Sequence, residues 1–291
     1  MIDQLKKFYY FLLQEKETRN QVGLLRNYLN SGQSLNLVHQ MGRVGSMTLI
    51  RTIEAVNSGV PVWHSHYLHP KQLEENWAMR KKHQFYIWQR HMRIAQVLSQ
   101  EIQNKSLDKR TWNIVTVVRE PVSRNMSTYF LGLDNHHLAG IYEKQEKREA
   151  DIDMVVNDFM AFSRDLETLH ETWFDQEIKA LFDIDVYDYP FPTDQGYLII
   201  NKGSVNLLIL KLEQMDSCLL AALEAFFNQK ANQQVDMHRT EKDDRAGVFY
   251  KQFKKHISFE TEYLDQYYNG RYMKHFYSAE EIDGFRQRWS Q

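Results

Sequence analysis

The sequence predicts an α/β fold, helix-rich, in which a parallel sheet is flanked by helices on both sides. Three observations predict it. Short apolar runs alternate with longer segments of helical period along the chain. Trp112 to Val118 (WNIVTVV) is an unbroken apolar, β-branched run, the composition of a strand buried on both faces of a parallel sheet. Two strand-like runs end in loops that lead directly into helical patterns, at Gly42 to Thr48 and at Arg119 to Pro121, and strand–loop–helix is the repeating unit of wound parallel sheets.

The elements follow in order. Leu5 to Tyr28 reads as an amphipathic surface helix packed on its own domain. Leu35 to Met41 is a strand that ends at Gly42, and a helix runs from the next loop through Val56. Val60 to Tyr67 is a second strand, with Pro61 near its start. Lys71 to Lys105 reads as one long charged helix with Trp77, Phe85, Trp88, Ile94, Val97 and Leu98 on its apolar side. The strand at Trp112 to Val118 stops at Arg119-Glu120-Pro121, where proline suits the first position of a helix that continues to about Phe130. Asp151 to Lys179 is further helix. Gly196 to Lys211 is two strands joined by a turn at Asn201-Lys202-Gly203-Ser204, and Asp216 to Phe227 is helical. Ser278 and Glu281 form a capping box ahead of Ile282, Phe285 and Trp289.

The 291 residues are enough for one large α/β domain or two small ones. With only 12 Gly and 5 Pro, no linker-like cluster and no repeat, a single domain over 1–291 with a helical insertion around 135–195 is expected. Lys plus Arg number 36 against 38 Asp plus Glu, so no bulk positive field exists to hold nucleic acid, and any anion site must be local. The single cysteine, Cys218, excludes an intramolecular disulfide and a cysteine-based zinc site. It fits a reducing compartment, with the cytoplasm as the expected location. The longest apolar stretch near the start, Phe8 to Leu13, is far short of the ~20 residues of a membrane span.

Ligands of wound sheets bind beyond the carboxyl ends of the strands, which directs attention to two loops. In Gly42-Arg43-Val44-Gly45-Ser46-Met47-Thr48, two glycines let successive amides turn inward, the next helix offers its positive end, and Ser46 and Thr48 add hydroxyls beside the charge of Arg43. That is an anion cradle, although a plain strand–helix turn has the same outline. Neither GxxxxGK[ST] nor GxGxxG occurs in the chain, which argues against an ordinary ATP or GTP site and against a dinucleotide fold. In the second loop Arg119 points from the strand end toward the cleft and Ser127, two turns into the helix, faces back, so the pair can grip one phosphate. An isolated Arg and Ser would more often pair locally.

Taken together, these residues resemble the sulfotransferases that use 3′-phosphoadenosine 5′-phosphosulfate. Arg43-Val44-Gly45-Ser46-Met47-Thr48-Leu49 is similar to their phosphosulfate loop, and Arg119, Pro121 and Ser127, with Tyr129 following, keep the spacing of their 3′-phosphate motif. Trp63-His64-Ser65-His66-Tyr67 is similar to their catalytic strand end, and Leu208 to Met215 to a late strand of theirs. Lys274 to Ser278 with the closing helix resembles a bacterial subgroup connected with capsular polysaccharide. The resemblance implies a P-loop-like fold and transfer of a sulfuryl group to a carbohydrate or small-molecule hydroxyl or amine. It also implies cofactor contacts from Arg43, Val44, Gly45, Ser46, Met47, Thr48, Arg119 and Ser127, and no required metal. Met47 stands where a hydroxyl residue is common and His64 where lysine is common.

His66 is expected to be the general base, since a neutral imidazole accepts a proton near neutral pH. His64 would orient sulfuryl oxygens or be the base itself, and Arg43 would stabilise the leaving group. Two histidines at strand spacing, with His69 close by, also suit a metal ion. Arg239, Lys242 and Arg245 lie in a stretch suited to a basic cofactor loop, and His136-His137 reads as solvent-facing. The acidic run containing Asp175, Glu177, Asp183, Asp185, Asp188 and Asp194 around Tyr187, Tyr189 and Phe191 is either a solvated face or an acceptor-side lining. A P-loop kinase and a non-catalytic nucleotide-binding module share the anion cradle, and the first needs Mg²⁺ and a lysine missing from the loop.

Overall fold

A computed structural model describes residues 2–57, 59–82, 89–104, 107–134, 152–164, 166–231 and 245–290. A five-stranded sheet flanked by helices forms the centre. Its strands are β1 (Leu35–His39), β2 (Val62–Ser65), β3 (Trp112–Val118), β4 (Tyr197–Lys202) and β5 (Val205–Lys211), in the order β2-β1-β3-β5-β4. The first four positions are parallel and β4 is an antiparallel edge strand. The short link Gly203-Ser204 admits no other pairing, because a parallel return needs a crossover of a dozen or more residues. Gly203 supplies the positive φ of that turn, +57°. β3 and β5 are buried at every position but the second, Asn113 and Asn206, in keeping with their apolar runs, whereas β4 is half exposed.

β1 and β2 end earlier than the apolar runs suggest. The Gln40 amide makes the last bond between the two strands, to the Ser65 carbonyl at 3.2 Å, and beyond Ser65 the Leu68 and His69 amides donate to the Glu177 carboxylate at 2.7 and 3.0 Å.

Helix α1 (Ile2–Asn30) lies against α4 (Gln89–Gln103), burying Leu25 and Leu29 while leaving Leu13 and Leu24 exposed. Val22, Leu25 and Leu29, at i, i+3 and i+7, make the inward stripe, and Leu13 and Leu24 lie off it. The helix α2 (Ser46–Val56) follows β1. In place of one helix over Lys71 to Lys105, the chain forms α3 (Pro70–Lys82), opened by Pro70, and α4. Phe85 and Trp88 lie outside the described residues. Helix α5 (Pro121–Asp134) starts at Pro121 as expected, with the Glu120 carboxylate accepting from the Val122 and Ser123 amides at 2.7 and 2.8 Å. That is an N-cap in function, and the helix runs past Phe130 to Asp134.

Asp151 to Lys179 is not a single helix. A helix at Ile152–Arg164 is followed by Leu169–Phe174, which passes through a π-helical turn, Asp175–Lys179, into Ala180–Phe182. The closing helix Ala279–Trp289 carries the capping box of Ser278 and Glu281. Glu281 also takes the buried Lys211 ammonium at 2.9 Å on both oxygens, tying this helix to the end of β5. Among the described residues no helix is long and apolar enough to cross a membrane.

The order β2-β1-β3 places the site. The strands that follow β1 lie on opposite sides of it, so the carboxyl ends of β1 and β3 flank a switch point, where wound sheets open a crevice. Both singled-out loops leave from there.

Candidate functional site

The first loop runs from Gln40 to Gly45. Arg43 and Gly45 adopt left-handed conformations, φ +68° and +85°. A Cβ on Gly45 would lie 3.0 Å from Leu212 Cδ1, so both conformation and space favour glycine there. Helix α2 then opens at Ser46 without a side-chain cap. The first bond of its ladder runs from the Leu49 amide to the Gly45 carbonyl at 3.2 Å, so the first-turn amides lie ahead of the ladder at the positive end of the helix dipole. The Val44 side chain is fully buried, so only its main chain can serve a ligand. Met47 is among the few large apolar side chains left exposed. Ser46 Oγ accepts from Gln40 Nε2 at 2.7 Å and retains its own proton to donate.

The second loop closes on the first. Arg119 Nη1 donates to the main-chain oxygen of Arg43 at 2.7 Å, and Arg43 Nε donates to Ser127 Oγ at 3.1 Å. Two arginines and a helix hydroxyl thus meet beside an uncapped helix start, a collection of donors and positive charge suited to an anion with several oxygens. The C-terminal segment holds this arrangement from behind. The Tyr272 hydroxyl donates to the Arg119 carbonyl and accepts from its amide, both at 3.0 Å. Tyr268 donates to Glu120 at 2.6 Å and Tyr277 to Glu213 at 3.0 Å, while Glu213 accepts from the Glu120 amide. Arg124, one turn along α5, is buried and donates to Asn125 Oδ1 at 2.6 Å.

The strand-end histidines face the same crevice wall. His66 Nδ1 lies 2.8 Å from the carbonyl of Gln40. A carbonyl only accepts, so Nδ1 carries the proton and a neutral His66 keeps its lone pair on Nε2. Gln40 therefore links both parts of the site, holding Ser46 with its side chain and His66 with its main chain. The His64 ring stands edge-on to His66 at 4.6 Å and to His91 of α4 at 5.2 Å. Burial, with the neighbouring His66 and His91 adding to it, holds the His64 imidazole well below its usual pKa. His64 is thus a neutral ring near neutral pH rather than a fixed charge. His69 gives its amide to Glu177. Among the described residues no three His, Cys, Asp or Glu side chains are arranged to hold a metal ion.

The acidic run is spent largely on local pairing. Asp185 binds Lys179 Nζ at 2.5 Å and caps the Tyr187 amide, Asp183 binds Lys202 at 2.7 Å, and Asp175 binds Arg271 at 2.5 Å. Tyr187 packs on Phe174, His275 and Phe276 beneath the Arg271 guanidinium, and Phe191 packs on Phe276. The aromatics of this stretch belong to the core and its edge. Glu177 alone among these acids is fully buried. Arg239, Lys242, His136 and His137 lie outside the described residues, and Arg245 is the first residue of the helix Arg245–His256.

Gln40, Trp173 and Tyr272 are the site-building residues that sequence reasoning missed, and Glu177 was read only as one of the acidic run. Each acts on main chain or through a contact distant in sequence, and none carries a motif; the fixed i, i+4 spacing of Trp173 and Glu177 was the only local signal. Residues 147–278 match a protein family described as putative capsular polysaccharide synthesis protein. That stretch holds Trp173, Glu177, Glu213 and the three tyrosines behind Arg119, whereas the Arg43 loop and His66 precede it. No curated protein and no solved structure matches the chain.

Proposed function

We propose that the protein is a sulfotransferase that moves a sulfuryl group from 3′-phosphoadenosine 5′-phosphosulfate to a carbohydrate hydroxyl. The observation that carries this reading is the meeting of Arg43, Arg119 and Ser127 at the switch point, from loops 76 and 84 residues apart. The donor set fits the nucleotide: uncapped amides, two guanidiniums and two hydroxyls, with no lysine of the kind a P-loop kinase places against the phosphates. Arg43 and the amides of Gly45, Ser46, Met47 and Thr48 would hold the 5′-phosphosulfate. Arg119 and Ser127 would hold the 3′-phosphate. The family matched by residues 147–278 favours a carbohydrate acceptor.

The nucleotide supplies an activated sulfuryl group. The chain's own part is to bind its phosphates, neutralise charge on the departing oxygen, and take a proton from the attacking hydroxyl. Arg43 and the α2 amides suit the second task, because they are fixed before reaction. His66 Nε2 suits the third, since the Gln40 carbonyl fixes the tautomer that leaves it basic.

The test is transfer of ³⁵S from labelled donor to a panel of polysaccharides and oligosaccharides, with and without EDTA. Labelled product that persists in EDTA and is lost in Arg43→Ala supports the proposal. Label transferred only from γ-³²P-ATP, and stopped by EDTA, would replace it with a kinase.

A further inference from the structure

We infer that Glu177 is a positioning residue for His66, acting with Trp173 as a two-point clamp on the strand-end loop 66–69. Its role as such rests on His66 being the base. Glu177 lies on the π-helical turn Asp175–Lys179, and its carboxylate is fully buried. A buried carboxylate is costly unless its oxygens are satisfied, and here the satisfaction comes from the loop: Oε2 accepts from the Leu68 and His69 amides at 2.7 and 3.0 Å. His39 Nε2 stands 3.3 Å from the same oxygen, and His39 Nδ1 pairs with Ser65 Oγ at 2.9 Å, one residue before His66. Four residues back along the helix, Trp173 Nε1 donates to the His66 carbonyl at 3.2 Å. The two side chains therefore grip the main chain at, and immediately after, His66. The Gln40 carbonyl then fixes the ring itself.

A π turn places one extra residue in the helical cycle and is frequent at functional sites. Trp173, on the helix that enters it, and Glu177, four residues on, reach one loop together. Among the described residues Glu177 Oε1 has no hydrogen-bond partner, so the pair of amides on Oε2 is the carboxylate's principal work. This gives a discriminating variant. In Glu177→Gln the amide oxygen can accept from Leu68 and His69, and the NH₂ group takes the place of an oxygen that already lacks a partner. Glu177→Ala removes the acceptor altogether.

The experiment is ¹⁵N imidazole NMR of His66 in the whole protein, beside binding of 3′,5′-adenosine bisphosphate and the rate of sulfuryl transfer. Wild type and Glu177→Gln are expected to show the single Nδ1–H tautomer. Glu177→Ala is expected to show an averaged tautomer signal and at least a tenfold lower kcat, with nucleotide Kd within twofold of wild type. An unshifted His66 signal in folded Glu177→Ala, or equal loss in the Gln variant, overturns the inference. Should Glu177→Ala not fold, Trp173→Phe removes the bond to the His66 carbonyl while keeping a ring, and an unchanged His66 signal there overturns it equally. Failure of wild type to bind the bisphosphate would overturn the sulfotransferase reading and leave the tautomer result standing, so the two failures are distinguishable.

Discussion

His170 gives the molecule a measurable acid sensitivity. Its ring is fully buried, stacked on Tyr267 at 5.6 Å and edge-on to Tyr272 at 5.4 Å. Burial, and secondarily the nearby Arg124 charge, push its pKa down to about 3. The direction of the effect follows from linkage. The folded state keeps His170 neutral while the unfolded chain takes up a proton below about pH 6.5, so stability is lost as pH falls from there toward 3. Between pH 7 and pH 5 that single group removes about 2 kcal/mol of folding free energy. His64, likewise held well below its usual value by burial, acts in the same direction. The assay is urea unfolding at pH 7, 6 and 5 of wild type and His170→Phe, which keeps a ring between the two tyrosines and removes the titration. The variant should lose about 2 kcal/mol less than wild type over that range. Parallel curves for the two proteins would refute the reasoning, since the other titrating groups are common to both.

Other predictions concern the crevice. Arg119→Ala should weaken 3′,5′-adenosine bisphosphate binding by ~1.5 to 3 kcal/mol in calorimetry, the scale of a charge-assisted hydrogen bond; an unchanged Kd would remove Arg119 from the phosphate site. His66→Ala should lower kcat by on the order of 10² to 10⁴ with nucleotide affinity nearly intact, and a wild-type rate would return the proton to another group. Gly45→Ala forces a left-handed alanine whose Cβ meets Leu212 at 3.0 Å, and should cost ~1 to 2 kcal/mol of stability by chemical denaturation. Glu120→Ala removes the acceptor of two α5 amides and of the Tyr268 hydroxyl; a loss of at least ~1 kcal/mol is expected, and an unaltered midpoint would contradict the capping role.

Much of the sheet was legible because its strands are continuous apolar runs. Trp112 to Val118 and the hairpin around Gly203 carry their structure in local composition, and the Ser278–Glu281 capping box is a spacing rule. The break between α3 and α4 was not legible, since no Gly or Pro stands between Lys82 and Gln89 to mark it. Nor was the antiparallel sense of β4 drawn into the expected parallel sheet, although the short turn that dictates it was identified.

At the site, the loops could be read because glycines, arginines and hydroxyls cluster in sequence. That Arg43 would reach Ser127, and Arg119 the Arg43 carbonyl, depends on the β1–β3 pairing and on no local pattern. The acidic run shows the opposite case: six carboxylates look like one feature in sequence, yet folding sends Asp175, Asp183 and Asp185 to separate cations and Glu177 inward.

As proposed above, the two loops make one site for a nucleotide bearing phosphates at both 3′ and 5′ positions. Calorimetric titration with 3′,5′-adenosine bisphosphate, beside 5′-AMP and ATP, tests it most directly. Binding that requires the 3′-phosphate and is lost in Arg119→Ala is the predicted result. No binding, or ATP bound as tightly as the bisphosphate, would contradict it.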